Sequence, residues 1–370
     1  MSSSRSPSST PGAEPSARRD ERTRRFRGAE IAIVLSRYDL GVIDRVREFR
    51  RGSRRAPKLR IAAERGQLLL KRLAPGRGDT ARVTFAHAMQ RRLAEHGYPL
   101  AALIPTRTGE TMVELDGRTY ELFTFVEGKR DDRSTQAARL AGRRLAELHA
   151  LLAAPIDTPA PPSVSYHDSP GLEPALRQLP SMVTAADPSQ SAELLEQRCD
   201  ALRTIYRDAA RRVQDAGYPS WPATTLHGDW HPGNLIYRDG EVVAVLDFDS
   251  VRLETRLADV ANGALQFSMR SSEGDPATWP YRLDVERIRA LLRGYDEAAP
   301  EPLSADERNA LPWLMLEALI LESVVPIAAT GRFAHLPGAS FLELVERTVG
   351  WLQPRAQRLL AFLGEPVPEE

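Results

Sequence analysis

The 370-residue sequence contains a single cysteine, Cys199. It cannot close an internal disulfide, so a reducing, cytoplasmic setting is expected. Net charge is also lacking, because 50 Lys and Arg balance 50 Asp and Glu. That removes the global electrostatic case for a nucleic-acid partner. No uninterrupted run of about 18 apolar residues occurs, so neither a membrane-spanning helix nor a membrane partner is expected. The first residues lack the apolar stretch of a secretory leader. Lysine is scarce: Lys58, Lys71 and Lys129 are the only three of the 50 basic residues. The others are arginine, so a lysine inside an apolar strand is a candidate point charge where a planar fork would serve less well.

What is present describes an ordinary globular chain, with 42% apolar and 27% charged residues. The length suggests two domains. Residues 1–28 are rich in Ser, Pro and Arg and are expected to form a disordered tail. Residues 29–126 are expected to form a small α+β lobe. It opens with a short helix over 29–37, followed by strand-like runs at 46–50, 58–62 and 67–73. A helix is predicted over 80–96, where Val83, Phe85, Ala86, Met89 and Leu93 recur at helical spacing and Gly97 is a stop signal. Strands at 112–115 and 119–126 follow, with Asp116-Gly117 as the hairpin turn between them. Residues 127–366 read as a larger, mainly helical lobe. Helices are expected over 134–152, 171–180, 190–216, 285–295, 305–328 and 340–362, and a strand-rich segment over 225–249.

That segment carries the chemistry. It reads His227-Gly228-Asp229-Trp230-His231-Pro232-Gly233-Asn234, then an apolar hairpin turning at Asp239-Gly240, then Asp247-Phe248-Asp249. A hairpin of this length returns Asp247 to the end of the ribbon where Asn234 begins. Asp229, Asn234 and Asp247 therefore converge as three oxygen-bearing side chains. Such a set suits Mg²⁺, which takes one or two carboxylates and completes its shell with phosphate and water oxygens. Phosphoryl transfer needs such a metal and a base for the attacking hydroxyl. Asp249 reads either as a second metal contact or as a cap.

The pattern resembles the aminoglycoside phosphotransferase and choline kinase-like family, over about residues 38–350. Spacing in the small lobe is similar to the homoserine kinase and spore-coat kinase-like branch. The resemblance implies a bilobal protein-kinase-like fold: a small antiparallel β-sheet lobe with one helix, and a larger helical lobe forming the acceptor pocket. It implies an ATP- and Mg²⁺-dependent phosphotransferase acting on the hydroxyl of a small molecule. By it Asp229 is the catalytic base, and Asn234 and Asp247 hold Mg²⁺. Lys71 contacts the α- and β-phosphates, Gly52 and Ser53 lie over the phosphates, and Thr124 carbonyl and Val126 N–H hold adenine. His227, Arg256 and Asp259 support the loop. The pattern departs from the family in two places: the loop near Gly52 lacks a full glycine set, and the helix after Lys71 offers His87 and Gln90 where a glutamate is usual.

Three other readings compete. His227-x-Asp229-x-His231 could hold Zn²⁺ for hydrolysis, although catalytic zinc needs three placed ligands. A silent kinase-shaped scaffold is opposed by the intact Asp229, Asn234 and Asp247. A Ser/Thr protein kinase is opposed by the lack of an Ala-Pro-Glu segment after Asp247.

Overall fold

A computed structural model describes residues 26–49, 56–160 and 165–357. Gly52 and Ser53 lie outside the described residues, as does most of the N-terminal tail. The chain divides into two compact units, residues 1–79 with 101–125, and residues 80–100 with 126–370.

The first unit is built on an antiparallel sheet, in which one strand, Lys58–Ala63, alternates buried and half-buried positions. Helix α1 (Gly28–Leu35) precedes β1 (Ile43–Phe49), β2 (Lys58–Ala63) and β3 (Gly66–Arg72). Strands β4 (Val113–Leu115) and β5 (Arg118–Thr124) complete an antiparallel sheet of order β1-β2-β3-β5-β4. Leu59, Ile61, Leu68 and Leu70 fill one face, with Tyr38, Tyr120 and Leu122. The β4–β5 turn is Asp116-Gly117, with φ of 51° and 68°, the doubly positive pair that matches strand twist. A buried Glu30 on α1 takes Arg72 at 2.7 Å and the Tyr120 hydroxyl at 2.7 Å. These bonds offset the desolvation of both charges.

The second unit begins with α2 (Thr80–Glu95), whose apolar face carries Val83, Phe85, Met89 and Leu93. The Tyr98 hydroxyl donates to Arg144 O at 2.8 Å, and Arg92 donates to Ala154 O and Pro155 O. These bonds fasten residues 80–100 to helical partners. Ser134 caps α3 (Thr135–Leu151) by accepting from Ala137 N. Next come α4 (Leu172–Ala186), α5 (Ala192–Asp215), β6 (Ala223–Leu226), β7 (Leu235–Arg238), β8 (Glu241–Val245) and β9 (Arg252–Thr255). After them come α6 (Leu257–Ser268), α7 (Val285–Ala298), α8 (Ala305–Thr330) and α9 (Gly338–Leu352). Helices α3 and α7 approach closely at two glycines. A Cβ on Gly142 would lie 1.9 Å from Leu291 O, and one on Gly294 1.9 Å from Arg139 O.

Helix α8 is the apolar spine of this unit. Its 26 residues have a window of mean hydropathy 1.7, long and apolar enough by those measures to cross a membrane, yet 83% of that window is buried in the unit. Glu317 and Glu322 interrupt it, which is why no unbroken apolar run stands in the sequence.

Candidate active site

Two short ladders set the geometry. β6 pairs with β9, Leu226 opposite Arg252, and β7 pairs with β8, Leu235 opposite Val245. The β7–β8 turn is Asp239-Gly240, again with two positive φ values. Asn234 O accepts from Leu246 N at 2.9 Å, so Asn234 and the residue before Asp247 lie side by side at one end of the ribbon. Asp247 has φ 62°, which turns the chain out of the strand.

The loop from His227 to Asn234 is bent at Gly228. Its φ is 78°, and a Cβ there would lie 2.1 Å from Ser250 O, so only glycine fits. Asp259, fully buried on α6, accepts from the backbone N–H of His227 at 2.8 Å and of Gly228 at 2.9 Å. His149 Nε2 reaches the same carboxylate at 3.2 Å, and the His149 Nδ1 partner is the Tyr295 hydroxyl at 2.9 Å. Burial alone would raise the Asp259 carboxyl; the hydrogen bond and charge of His149, with the charge of Arg252, outweigh it and hold Asp259 below the usual carboxylate range. Arg252 donates to Gly228 O at 3.1 Å and to Glu254 at 2.6 Å. Asp259 thus ties the backbone at His227 and Gly228 to α6. Arg256 turns elsewhere, to Glu307 at 2.8 Å and to the carbonyls of Glu301 and Pro302 at the start of α8.

His227 is fully buried between the rings of Trp230, 5.3 Å away, and Phe248, 5.0 Å away. Its Nε2 meets Leu246 O at 3.0 Å and its Nδ1 accepts from Asp229 N at 3.2 Å. A carbonyl only accepts, so the proton sits on Nε2. Burial pushes the His227 ring below its ordinary value, which keeps it neutral. Both nitrogens are engaged, so the His-x-Asp-x-His pattern does not offer His227 to a metal.

Asp229 is the exposed member. Its side chain retains 43% of its surface, and that of His231 retains 35%. His231 Nδ1 accepts from Gly233 N at 3.0 Å, which directs Nε2 toward Asp229 Oδ2, 3.6 Å away. Burial would raise the Asp229 carboxyl, but the hydrogen bond and charge of His231 prevail and lower it. His231 moves the opposite way: burial would lower it, and Asp229 raises it. Asn234 Nδ2 donates to Asp229 O at 2.9 Å and to Asp229 Oδ2 at 3.2 Å. Its Oδ1 is therefore the end left for a cation. Asn234 Oδ1 and the Asp247 carboxylate are both oxygen donors, a chemistry that fits a hard divalent cation and not a soft one. Among the described residues no three His, Cys, Asp or Glu side chains form a metal-holding group.

Asp229, His231 and Gly233 line a cavity of about 560 Å³. Glu322 of α8 lines it too, held by Gln266 Nε2 at 3.2 Å and Asn262 Nδ2 at 3.4 Å. Sequence reasoning passed over His231 as a site residue and missed Glu322. The signal for Glu322 was a carboxylate inside an otherwise apolar helix.

In the first unit, Lys71 is only 4% exposed, and it stands opposite Glu121 in the β3–β5 ladder. A buried carboxylate thus faces the lysine from the neighbouring strand, where the sequence reading had looked to the following helix. Thr124 ends β5, and its N–H donates to Ala102 O at 2.8 Å. Val126 is the first residue of the second unit after that strand.

A model of the APH phosphotransferase enzyme family matches residues 45–307. The homoserine kinase of Caulobacter sp. (strain K31) is 29% identical over 235 residues, covering 60% of this chain and 62% of that protein. The homoserine kinase of Caulobacter vibrioides (strain NA1000 / CB15N) is 27% identical over 288 residues, 77% of this chain and 82% of that one. Among solved structures, an aminoglycoside phosphotransferase from Alicyclobacillus acidocaldarius superposes with TM-score 0.61 at 17% identity, over 90% of this chain and 94% of its own. A microcompartment-associated aminopropanol kinase gives 0.63 at 15% identity, over 89% and 97%. At such identities the structures establish the fold, a small antiparallel sheet unit with a helical unit. Kinship with kinases implies use of ATP. With the family model spanning well over half of it, the chain belongs to the APH phosphotransferase enzyme family and is a small-metabolite phosphotransferase on the kinase-like fold.

Proposed function

We propose that the chain moves the γ-phosphoryl group of ATP to the hydroxyl of a small amine-bearing metabolite, an amino alcohol or a hydroxy amino acid of the homoserine kind. The observation that carries this reading is Asp229: an ionised carboxylate, oriented by Asn234 and His231, on the wall of a cavity. The curated relatives named as homoserine kinases support the acceptor class.

Asp229 Oδ accepts the hydroxyl proton as the acceptor oxygen bonds to the γ-phosphorus. The bond from that phosphorus to the β–γ bridging oxygen breaks, and ADP leaves with its electron pair. Asn234 holds the base through Nδ2, while its Oδ1 and Asp247 are the groups that would hold Mg²⁺. When bound, Mg²⁺ neutralises phosphate charge. Lys71 would contact the nucleotide phosphates as a point charge, and Thr124 and Val126 would hold adenine through backbone groups.

The test is ADP release from Mg·ATP against a panel of amino alcohols, homoserine, sugars and aminoglycosides. Asp229→Asn is expected to lower turnover by about 10²–10⁴-fold, the usual share of a general base. ATP affinity by calorimetry should stay within a few-fold. Undiminished turnover, or a collapse of ATP binding, would refute the assignment of the base.

A further inference from the structure

The cavity beside Asp229 is large for homoserine. Homoserine has eight non-hydrogen atoms, and at water's liquid share of ~30 Å³ each they occupy at most about 240 Å³. The cavity measures about 560 Å³, within the range of drug-sized ligands rather than of a free amino acid. Its remaining space is bounded by apolar side chains. Trp279, Met269, Phe333 and Phe341 line it, the last two rings stacked 3.7 Å apart and within 6° of parallel. The Trp279 indole N–H is buried with no hydrogen-bond partner among the described residues.

Its charges are arranged unevenly. Arg130, Arg133, Arg270, Arg287 and Asp131 also line the cavity. Arg270 is engaged by Asp284 at 2.6 Å, the buried Arg287 by Asp131 at 2.8 Å, and Arg133 by the neutral Ser271 hydroxyl. The charges of Arg270 and Arg287 are therefore compensated within the protein. On the wall, Asp229 and Glu322 are two carboxylates. Glu322 is held by two neutral amides, and no cationic side chain is bonded to it among the described residues.

We infer that this cavity selects an amine whose hydroxyl-bearing skeleton carries an apolar body larger than that of homoserine, with Glu322 as its ammonium contact. This rests on the phosphotransferase reading and narrows its acceptor. Burial and the Asp229 charge push the Glu322 carboxyl up to about 7, a cost that an arriving ammonium relieves. The aromatic and thioether wall then covers the apolar body, while the hydroxyl faces Asp229.

The experiment uses the full chain and three probes: phenylalaninol, its desamino analogue 3-phenylpropan-1-ol, and homoserine. Binding is measured by calorimetry without nucleotide, and kcat and KM by ADP release with Mg·ATP. Phenylalaninol is expected to bind at least about tenfold more tightly than either of the others. Glu322→Gln keeps the shape of the side chain and an acceptor for one of its two amide donors, and removes the charge. It should weaken phenylalaninol about 10–100-fold, the range for a charged hydrogen bond, and leave 3-phenylpropan-1-ol unchanged. The loss should appear in KM and not in kcat. Trp279→Ala should weaken phenylalaninol several-fold and leave homoserine as it was.

Equal binding of homoserine and phenylalaninol overturns the inference, as does a Glu322→Gln variant with undiminished phenylalaninol affinity, or failure of phenylalaninol to bind at all. Glu322-dependent binding of phenylalaninol without ADP release would sustain the inference and overturn the kinase reading. Turnover of homoserine with the same KM in Glu322→Gln would do the reverse.

Discussion

Asp259→Asn isolates what holds the catalytic loop in place. The carboxylate has no exposed surface and takes three donors, His227 N–H, Gly228 N–H and His149. An asparagine of the same shape can accept from only one of the two backbone donors. Its own NH₂ then faces the other, leaving a buried N–H without an acceptor at about 1–3 kcal/mol. The bond that remains loses its charge assistance, about 1 kcal/mol more. The sum is about 3 kcal/mol, a large fraction of a stability of ~5–15 kcal/mol, yet short of unfolding most proteins. Urea unfolding followed by tryptophan fluorescence suits the measurement, because Trp221, Trp230, Trp279, Trp313 and Trp351 all lie in the second unit. Turnover should fall about 10²-fold as well, the cost of a displacement near 1 Å, since Asp229 follows Gly228 directly. The pH dependence has a definite sign. The folded pKa of Asp259 lies below its unfolded value of about 3.9. Its contribution is fully present above that value and is lost only as pH falls through the folded one. The gap between wild type and variant should therefore be undiminished from pH 7 to pH 5. A gap that closes in that range, or wild-type turnover in the variant, would refute the reasoning.

Asp247→Ala removes one of two oxygen donors facing the proposed cation. The Mg²⁺ concentration for half-maximal activity should rise at least about tenfold, and an unchanged Mg²⁺ titration would remove Asp247 from the metal assignment. Gly228→Ala combines a left-handed φ of 78° with a Cβ 2.1 Å from Ser250 O. It should cost about 3 kcal/mol in the same urea assay, and a neutral effect would show that the loop is not held against that carbonyl.

The readable parts of the fold were those with a one-sided burial pattern or a turn of special backbone. Strand β2 alternates, α2 and α3 carry apolar stripes, and the Asp-Gly pairs 116–117 and 239–240 adopt the turns that their chemistry favours. Helix α6 was not legible by period, because every residue from Leu257 to Ser268 except Gln266 is buried, and a helix covered on all sides has no stripe. Strand β9 reads Arg-Leu-Glu-Thr, and its polar side chains are buried because Arg252 and Glu254 satisfy each other. At the site, residues within one motif were legible, since local spacing carries them. His149 and Tyr295, which secure Asp259 from α3 and α7, come from remote sequence and share no spacing with the loop. Arg256 shows the converse: spacing grouped it with Asp259, while its guanidinium pairs with Glu307.

Around Asp229 the protein separates groups that fix geometry from groups that remain responsive. Asp259, His149 and Arg252 are buried and bonded to one another's neighbours, so their positions are set by folding. Asp229, His231 and Glu322 line the cavity and are displaced in different directions. Asp229 is lowered, which keeps it ionised at neutral pH and available to take a proton. His231 is raised by that same carboxylate. Glu322, desolvated and repelled by Asp229, titrates near neutrality at about 7. Neighbouring titratable groups pushed apart in this way mark a division of chemical labour. The empty cavity thus holds one carboxylate charge firmly and a second only marginally. An ammonium held as inferred above would tip Glu322 to its ionised form and lessen the mutual repulsion that Glu322 and Asp229 would otherwise feel. On the proposed function, acceptor binding and ionisation of Glu322 would then be coupled through charge alone.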